Sequence, residues 1–123
     1  PDFTQYHSFF AAIYEDVYSS IDPLAENMRK LNALAPFRLA EFAALSSIEE
    51  VECGCDAASM CTDLYHANNV MIQSLNDCFA AASAANQQGI ADFIAGRIDM
   101  HQKWAWQLRA HLSPAARTEV DFL

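Results

Sequence analysis

Residues 1–27 of the 123-residue chain read PDFTQYHSFFAAIYEDVYSSIDPLAEN. Apolar side chains recur in this stretch, and just beyond it, at intervals dominated by three and four residues; they are Phe3, Tyr6, Phe10, Ile13, Val17, Leu24, Met28 and Leu31. Such spacing places side chains on one face of an α-helix. The segment therefore predicts a long amphipathic helix at the start of the chain.

Two later stretches carry the same period. The first begins after Asp56, a residue type that caps helix N-termini, and its apolar positions are Met60, Leu64, Met71, Leu75, Cys78 and Ala82. The second follows an interruption at residues 86–89 and ends at Pro114; its apolar positions are Ile90, Phe93, Ile94, Ile98, Ala105, Leu108 and Leu112. A short connecting helix is expected around residues 39–45. The pattern predicts an all-α helical bundle with three long helices and one short one.

The composition agrees with one helical domain. Only 3 glycines and 4 prolines are present, which is little turn chemistry for a β-sandwich, and 53% of the residues are hydrophobic. The net charge of −9 repels phosphate backbones, so direct DNA binding is not expected. No apolar run is long enough to span a membrane, and the cytoplasm is the expected compartment.

Asp22 and Glu26 are candidate metal ligands because residues four apart project from the same side of a helix. Two carboxylates so placed repel each other, and a hard cation such as iron(II) would relieve that repulsion. His7 would add a nitrogen ligand, but it lies about 22 Å from Asp22 along a straight helix. A two-fold dimer with antiparallel helices could bring His7 of one chain to the carboxylates of the other.

A structural interpretation of the same residues stays open. Asp22 followed by Pro23 is typical of an N-cap and a first helical residue, with Glu26 near the positive end of the helix dipole. Pro23 would kink or restart the helix. His7 alone is more often a packed or surface histidine than a ligand.

Three separated motifs resemble the Dps, or mini-ferritin, family of the ferritin-like superfamily. They are His7 with Asp22 and Glu26 in the first stretch, the segment APFRLAEFAALSSIEE at residues 35–50, and ADFIAGRIDMHQKWAWQLRAHL at residues 91–112. The resemblance runs from Pro1 to about Leu112. It implies one ferritin-like domain over residues 1–123, N-terminally incomplete because the family's first helix has no counterpart. The family's arginine after the glutamate is Asn27 here.

The resemblance implies a subunit that binds, oxidises and stores iron, as Fe²⁺ and Fe³⁺, and limits oxidative stress. His7, Asp22 and Glu26 would be catalytic residues and metal ligands of a ferroxidase site between subunits. Asp92 would lie near the pore that admits iron. The expected assembly is a homo-oligomer built from two-fold dimers, with a dodecameric shell as the candidate full form. A non-catalytic, truncated oligomerisation module is the alternative.

Other residues have weaker signals. Cys53, Cys55 and Cys61 with His66 suggest zinc, but their spacing is not that of paired CxxC motifs, and a structural thiol or an adventitious metal site is expected instead. Cys78 lies on an apolar stripe and is expected in the core. Trp104 and Trp106 differ by about 200° around a helix; Trp106 matches the family's tryptophan, so Trp104 is expected to face solvent or a subunit contact. His101 is expected to pack, with support of the metal centre as the alternative.

Overall fold

The computed structural model describes residues 2–52, 56–112 and 114. Within them the chain forms five α-helices and no strand: α1 at Phe3–Ser19, α2 at Ile21–Lys30, α3 at Leu39–Leu45, α4 at Ala57–Ala84 and α5 at Gln88–His111. The all-α prediction is confirmed, including the short helix. In this part of the chain no helix is long and apolar enough to cross a bilayer. Contacts divide the chain into two compact units, Pro1–Ser46 and Ser47–Leu123.

The first long helix of the sequence prediction is broken at Ser20. The backbone N–H of Ser20 donates to the Val17 carbonyl at 3.1 Å, a bond between residues three apart rather than four. Pro23 explains the position of the break, because a proline ring clashes with the carbonyl four residues earlier, here that of Ser19. Ser20, and not Asp22, is therefore the residue that precedes α2. The N-cap interpretation of Asp22 is wrong by two residues.

The remainder of the first unit contains the end of α2 and the short helix α3. Helix α2 ends at Lys30, and Asn32 follows with a φ of 61°, in the left-handed region that asparagine tolerates better than most residues. The N–H of Ala33 then donates to the Met28 carbonyl at 3.0 Å, which closes the end of the helix. Helix α3 begins where Glu41 accepts hydrogen bonds from the N–H groups of Phe37 and Arg38.

The second unit is a hairpin of the two longest helices. Asp56 caps α4 as predicted, since its carboxylate accepts hydrogen bonds from the N–H of Ser59 at 2.9 Å and from its hydroxyl at 2.8 Å. The helix ends at Ala84; Asn86 follows with a φ of 57°, and the N–H of Gln87 donates to the Ala82 carbonyl. This three-residue connection returns the chain as α5, antiparallel to α4.

The face that α4 buries differs in part from the predicted stripe. The buried α4 residues recur at intervals of mostly three and four; they are Cys61, Tyr65, Asn68, Ile72, Leu75 and Ala82. Met60 is exposed, and so is Cys78, whose predicted core position is wrong within this chain. The reason is that α5 covers the side of α4 next to the predicted stripe. That side includes Tyr65 and Asn68.

Helix α5 presents a mixed face to α4, formed by Ala91, Ile94, Arg97, His101, Trp104, Ala105 and Leu108. Trp104 is 7% exposed and Trp106 is 59% exposed. The prediction that the two tryptophans occupy different faces is confirmed, but their assignment is reversed. Trp104 lies on the buried side of α5 with Arg97, His101 and Leu108. The prediction had relied on the match of Trp106 to the family's tryptophan, and that match does not determine which tryptophan is buried.

Candidate functional site

The three predicted ligands lie on the two helices at the start of the chain. His7 is in the second turn of α1, while Asp22 and Glu26 are one turn apart on α2, and all three side chains are exposed. Two carboxylates and an imidazole are the donor types that suit iron(II). Among the residues that the structure describes, no three His, Cys, Asp or Glu side chains come close enough to hold a metal ion. The metal site therefore stays a prediction, as does its need for a second subunit.

His7 shares one helix face with a set of exposed apolar side chains. At about 100° per residue, positions 3, 7, 14 and 18 of a helix fall within about 60° of each other. Phe3 stacks on His7 with ring centroids 5.4 Å apart, and Tyr14 stacks on Tyr18 at 5.8 Å. Tyr14 is 67% exposed and Tyr18 is 63% exposed. We call these four residues the α1 aromatic stripe.

The stripe reaches the carboxylate helix through a small cleft. Tyr18, Ser19, Ile21 and Asp22 line this cleft of about 150 Å³ at the break between α1 and α2. Tyr18 and Asp22 therefore border the same space. On the other side of α2, Asn27 is buried and accepts a hydrogen bond from Lys30 Nζ at 3.1 Å. The residue that departs from the family's arginine thus has a packing role here.

A buried polar cluster inside the hairpin was not predicted. Asn68 Nδ2 donates to the His101 backbone carbonyl at 2.8 Å, and Asn68 Oδ1 lies 2.7 Å from His101 Nδ1. Arg97 Nη2 lies 3.2 Å from His101 Nε2. The cluster gives His101 a structural role in the α4–α5 interface. The available signal was that Arg97 and His101 are four residues apart and align with Ile94 and Leu108.

A cleft lies beside the cysteine region. The segment 47–51 and the first half of α4 line a cleft of about 550 Å³, whose walls are mainly Ile48, Val51, Met60, Leu64 and Val70. Cys61 is fully buried, and burial raises the pKa of its thiol. Cys53 and Cys55 lie outside the described residues, so the zinc alternative is untested. His66 borders the cleft and is exposed.

Asp92, the predicted pore residue, is exposed on α5. It is the fifth residue of the helix rather than a member of the first turn, so the helix dipole gives little account of it. Its proposed place beside a pore depends on subunits that a single chain does not contain.

Comparison with known proteins identifies the class. The model of the ferritin-like domain matches residues 1–118. The chain therefore belongs to the ferritin-like family. Within that family its likenesses are to Dps, or mini-ferritin, proteins, which confirms the resemblance carried by the three motifs.

Two curated proteins are similar to this chain in sequence. A low temperature-induced protein of Nostoc sp. is 28% identical over 114 residues, which cover 91% of this chain and 64% of that protein. DNA protection during starvation protein 2 of Bacillus anthracis is 26% identical over 113 residues, which cover 92% of this chain and 77% of that protein. The chain thus spans less than two thirds of the length of the Nostoc relative.

Solved structures show the same fold. Dps from Thermosynechococcus elongatus matches with a TM-score of 0.87 at 22% identity, over 92% of this chain and 72% of that one. A Dps protein from Vibrio cholerae, described as a member of a broad superfamily of ferritin-like diiron-carboxylate proteins, matches with a TM-score of 0.84 at 24% identity, over 89% and 69%. The chain has the ferritin-like helical fold.

Proposed function

We propose that this protein is a Dps-like subunit that binds iron(II), oxidises it with peroxide or oxygen, and stores the product. Iron is the substrate, and His7, Asp22 and Glu26 are its ligands and the catalytic residues. The observation that carries the proposal is the exposed carboxylate pair one turn apart on α2, in a chain of ferritin-like fold. The diiron-carboxylate description of the Vibrio cholerae relative supports iron as the metal.

The α1 aromatic stripe supports assembly of the site between two copies of the chain. Exposed aromatic side chains on one helix face favour a partner, because their burial removes apolar area from water. An antiparallel pairing of the N-terminal helices along this stripe brings His7 of each copy toward Asp22 and Glu26 of the other. Two-fold symmetry then generates two equivalent sites. A dodecameric shell, with Asp92 near its pores, is the full assembly that we propose.

The test is iron oxidation by the purified chain. Iron(II) mixed with hydrogen peroxide should oxidise faster than in buffer, and the His7→Ala/Glu26→Ala variant should lose the difference. Asp99→Ala, which removes an exposed carboxylate of α5, is the matched control and should keep the rate. Equal rates for the wild type and the double variant would refute the enzymatic proposal.

The alternative is a non-catalytic helical oligomerisation module, in which the exposed His7, Asp22 and Glu26 are solvent-facing side chains of α1 and α2. A module of this kind predicts no bound iron after loading and removal of free metal. Light scattering of the same sample separates a dodecamer, which supports a shell, from a dimer or monomer, which supports the module.

Protection of DNA, named in the Bacillus anthracis relative, does not extend to direct binding here. The net charge of −9 opposes contact with phosphates. Any protection would act through removal of iron(II) and peroxide.

Cytoplasm is the compartment we propose, in agreement with the free thiols of Cys61 and Cys78.

A further inference from the structure

We infer that the cleft beside the first half of α4 binds a small organic cation with an apolar body, of the class of the aromatic amines. The segment 47–51 and α4 line this cleft of about 550 Å³, which we call the α4 cleft. Its volume lies within the range of about 300–1,000 Å³ that is usual for small-molecule sites. His7, Asp22 and Glu26 do not border it, so binding there does not depend on the proposed iron chemistry.

The α4 cleft exists because α4 has two apolar faces. Met60, Leu64 and Ala67 fall within about 60° of each other around the helix, roughly a quarter of a turn from the residues that pack on α5. Met60 is exposed, and Leu64 and Ala67 are half-buried. Ile48 and Val51 of the preceding segment form the other wall. A ligand with an apolar body would take this surface out of water, which favours binding.

The charges around the α4 cleft are negative. Glu49 and Asp63 border it, one from each wall, and the described lining residues include no lysine or arginine. The surrounding chain has the same sign, since residues 39–96 contain no lysine or arginine, whereas Glu50, Glu52 and Asp56 flank the cleft in sequence. Carboxylates on a low-dielectric wall raise the local concentration of cations and repel anions. The charge of the cleft therefore complements an ammonium group.

The hydrogen-bonding groups of the α4 cleft also suit an ammonium group. A primary ammonium has three N–H donors and no acceptor. The Glu49 and Asp63 carboxylates accept hydrogen bonds, and the His66 ring, when neutral, supplies one acceptor nitrogen. The rest of the lining is mainly apolar, so the body of the ligand fills that space without further polar groups. An aromatic amine combines both properties.

The experiment titrates three indole compounds of similar shape into the assembled chain near neutral pH. Tryptamine carries an ammonium group, tryptophol a hydroxyl group and indole-3-acetate a carboxylate. Calorimetry should show that tryptamine binds about tenfold more tightly than tryptophol, because two partly exposed carboxylates contribute to the difference, and that indole-3-acetate binds most weakly. Hydrogen–deuterium exchange should slow on tryptamine binding in residues 47–51 and 60–70.

Three variants test the walls and the charge of the α4 cleft separately. Glu49→Gln/Asp63→Asn keeps the shape of the cleft and should bind tryptamine and tryptophol equally. Asp77→Asn, which removes an exposed carboxylate of α4 outside the cleft, is the matched control and should keep the tenfold preference. Ala67→Phe narrows the cleft and should weaken the binding of all three compounds. Circular dichroism and light scattering check that each variant is folded and assembled.

Equal binding of tryptamine and tryptophol by the wild type, or a preference that survives in the double variant, would overturn the ligand class. Loss of the preference in Asp77→Asn as well would assign it to the net charge of the protein and overturn the site. Absence of binding to the assembled chain, as expected if a neighbouring copy fills the cleft, would overturn the inference altogether. Iron oxidation by the same samples tests the proposed function separately, since the proposed iron ligands do not line the cleft.

Discussion

Asn68 and His101 contact each other at two points across the α4–α5 interface: the asparagine amide donates to the histidine backbone carbonyl at 2.8 Å, and its oxygen lies 2.7 Å from His101 Nδ1. Because an amide oxygen only accepts, Nδ1 carries the hydrogen of this bond. Arg97, which only donates, faces the other ring nitrogen at 3.2 Å. His101 is therefore held as the neutral Nδ1–H tautomer.

Replacement of Asn68 by alanine should destabilise the hairpin strongly. The change removes the acceptor that faces the buried ring N–H of His101, and the loss of such a partner costs about 1–3 kcal/mol. Urea unfolding, followed by circular dichroism, measures the loss. Asn69→Ala is the control, since in the described structure its buried Oδ1 has no partner to lose. A similar loss for both variants would contradict the role of the Asn68–His101 pair.

Substitutions of the two tryptophans should have different effects on the stability and on the fluorescence of the protein. Trp104→Ala removes a buried ring and should cost about 3–5 kcal/mol. Trp106→Ala changes an exposed ring and should cost far less. Each Trp→Phe variant contains a single tryptophan. The emission maximum of Trp106→Phe, which keeps the buried Trp104, should lie at a shorter wavelength than that of Trp104→Phe, which keeps the exposed Trp106. The reverse order of emission maxima would contradict the observed faces of α5.

The Asp56 cap should make stability depend on pH. The Ser59 N–H and hydroxyl bonds hold the pKa of the Asp56 carboxyl below its usual value. A lowered folded-state pKa gives stability that is present above the unfolded-state pKa and is lost as the pH falls through the folded-state value. Melting temperatures of Asp56→Ala and the wild type should therefore differ at neutral pH and converge in acid. Asp56→Asn, which still accepts from Ser59, should keep most of the stability without this pH dependence.

The thiols of Cys61 and Cys78 should react at very different rates. Cys61 is fully buried with a raised pKa, while Cys78 is exposed. Because the thiolate is the nucleophile, iodoacetamide should modify Cys78 in the native protein and Cys61 only after unfolding. Peptide mass spectrometry assigns each site. Rapid native modification of Cys61 would mean that the N-terminal half of α4 opens readily.

The long helices could be predicted because their signals are local. Asp56 caps α4 through bonds to a residue three positions on, and the apolar period of α5 continues to its end. Asn86, just after α4, turns the chain through a left-handed backbone conformation that asparagine tolerates. Such signals depend only on residues close in the sequence, so the sequence alone is enough to predict the ends of these helices.

The faces of the helices were predicted less well, because they depend on contacts between distant residues. Tyr65 and Arg109 are polar enough to suggest a surface, yet Arg109 Nη1 donates to the Tyr65 hydroxyl across the hairpin at 3.3 Å. Trp104 and Cys78 were placed on the wrong sides for the same reason. The proposed iron site is a more extreme case, since its ligands are expected to meet only between copies of the chain.

Because of the break at Ser20, we expect the carboxylate helix to open independently of α1. Helix α2 has only ten residues and begins with its own end groups, so its amide hydrogens can exchange with solvent while α1 stays folded. A metal ion that joins Asp22 to Glu26 spans one turn of this helix and holds that turn closed. Hydrogen–deuterium exchange of residues 24–30 would then slow with iron(II) while exchange in the middle of α1 is unchanged, so that bound metal is detected as local helix order rather than as colour or turnover.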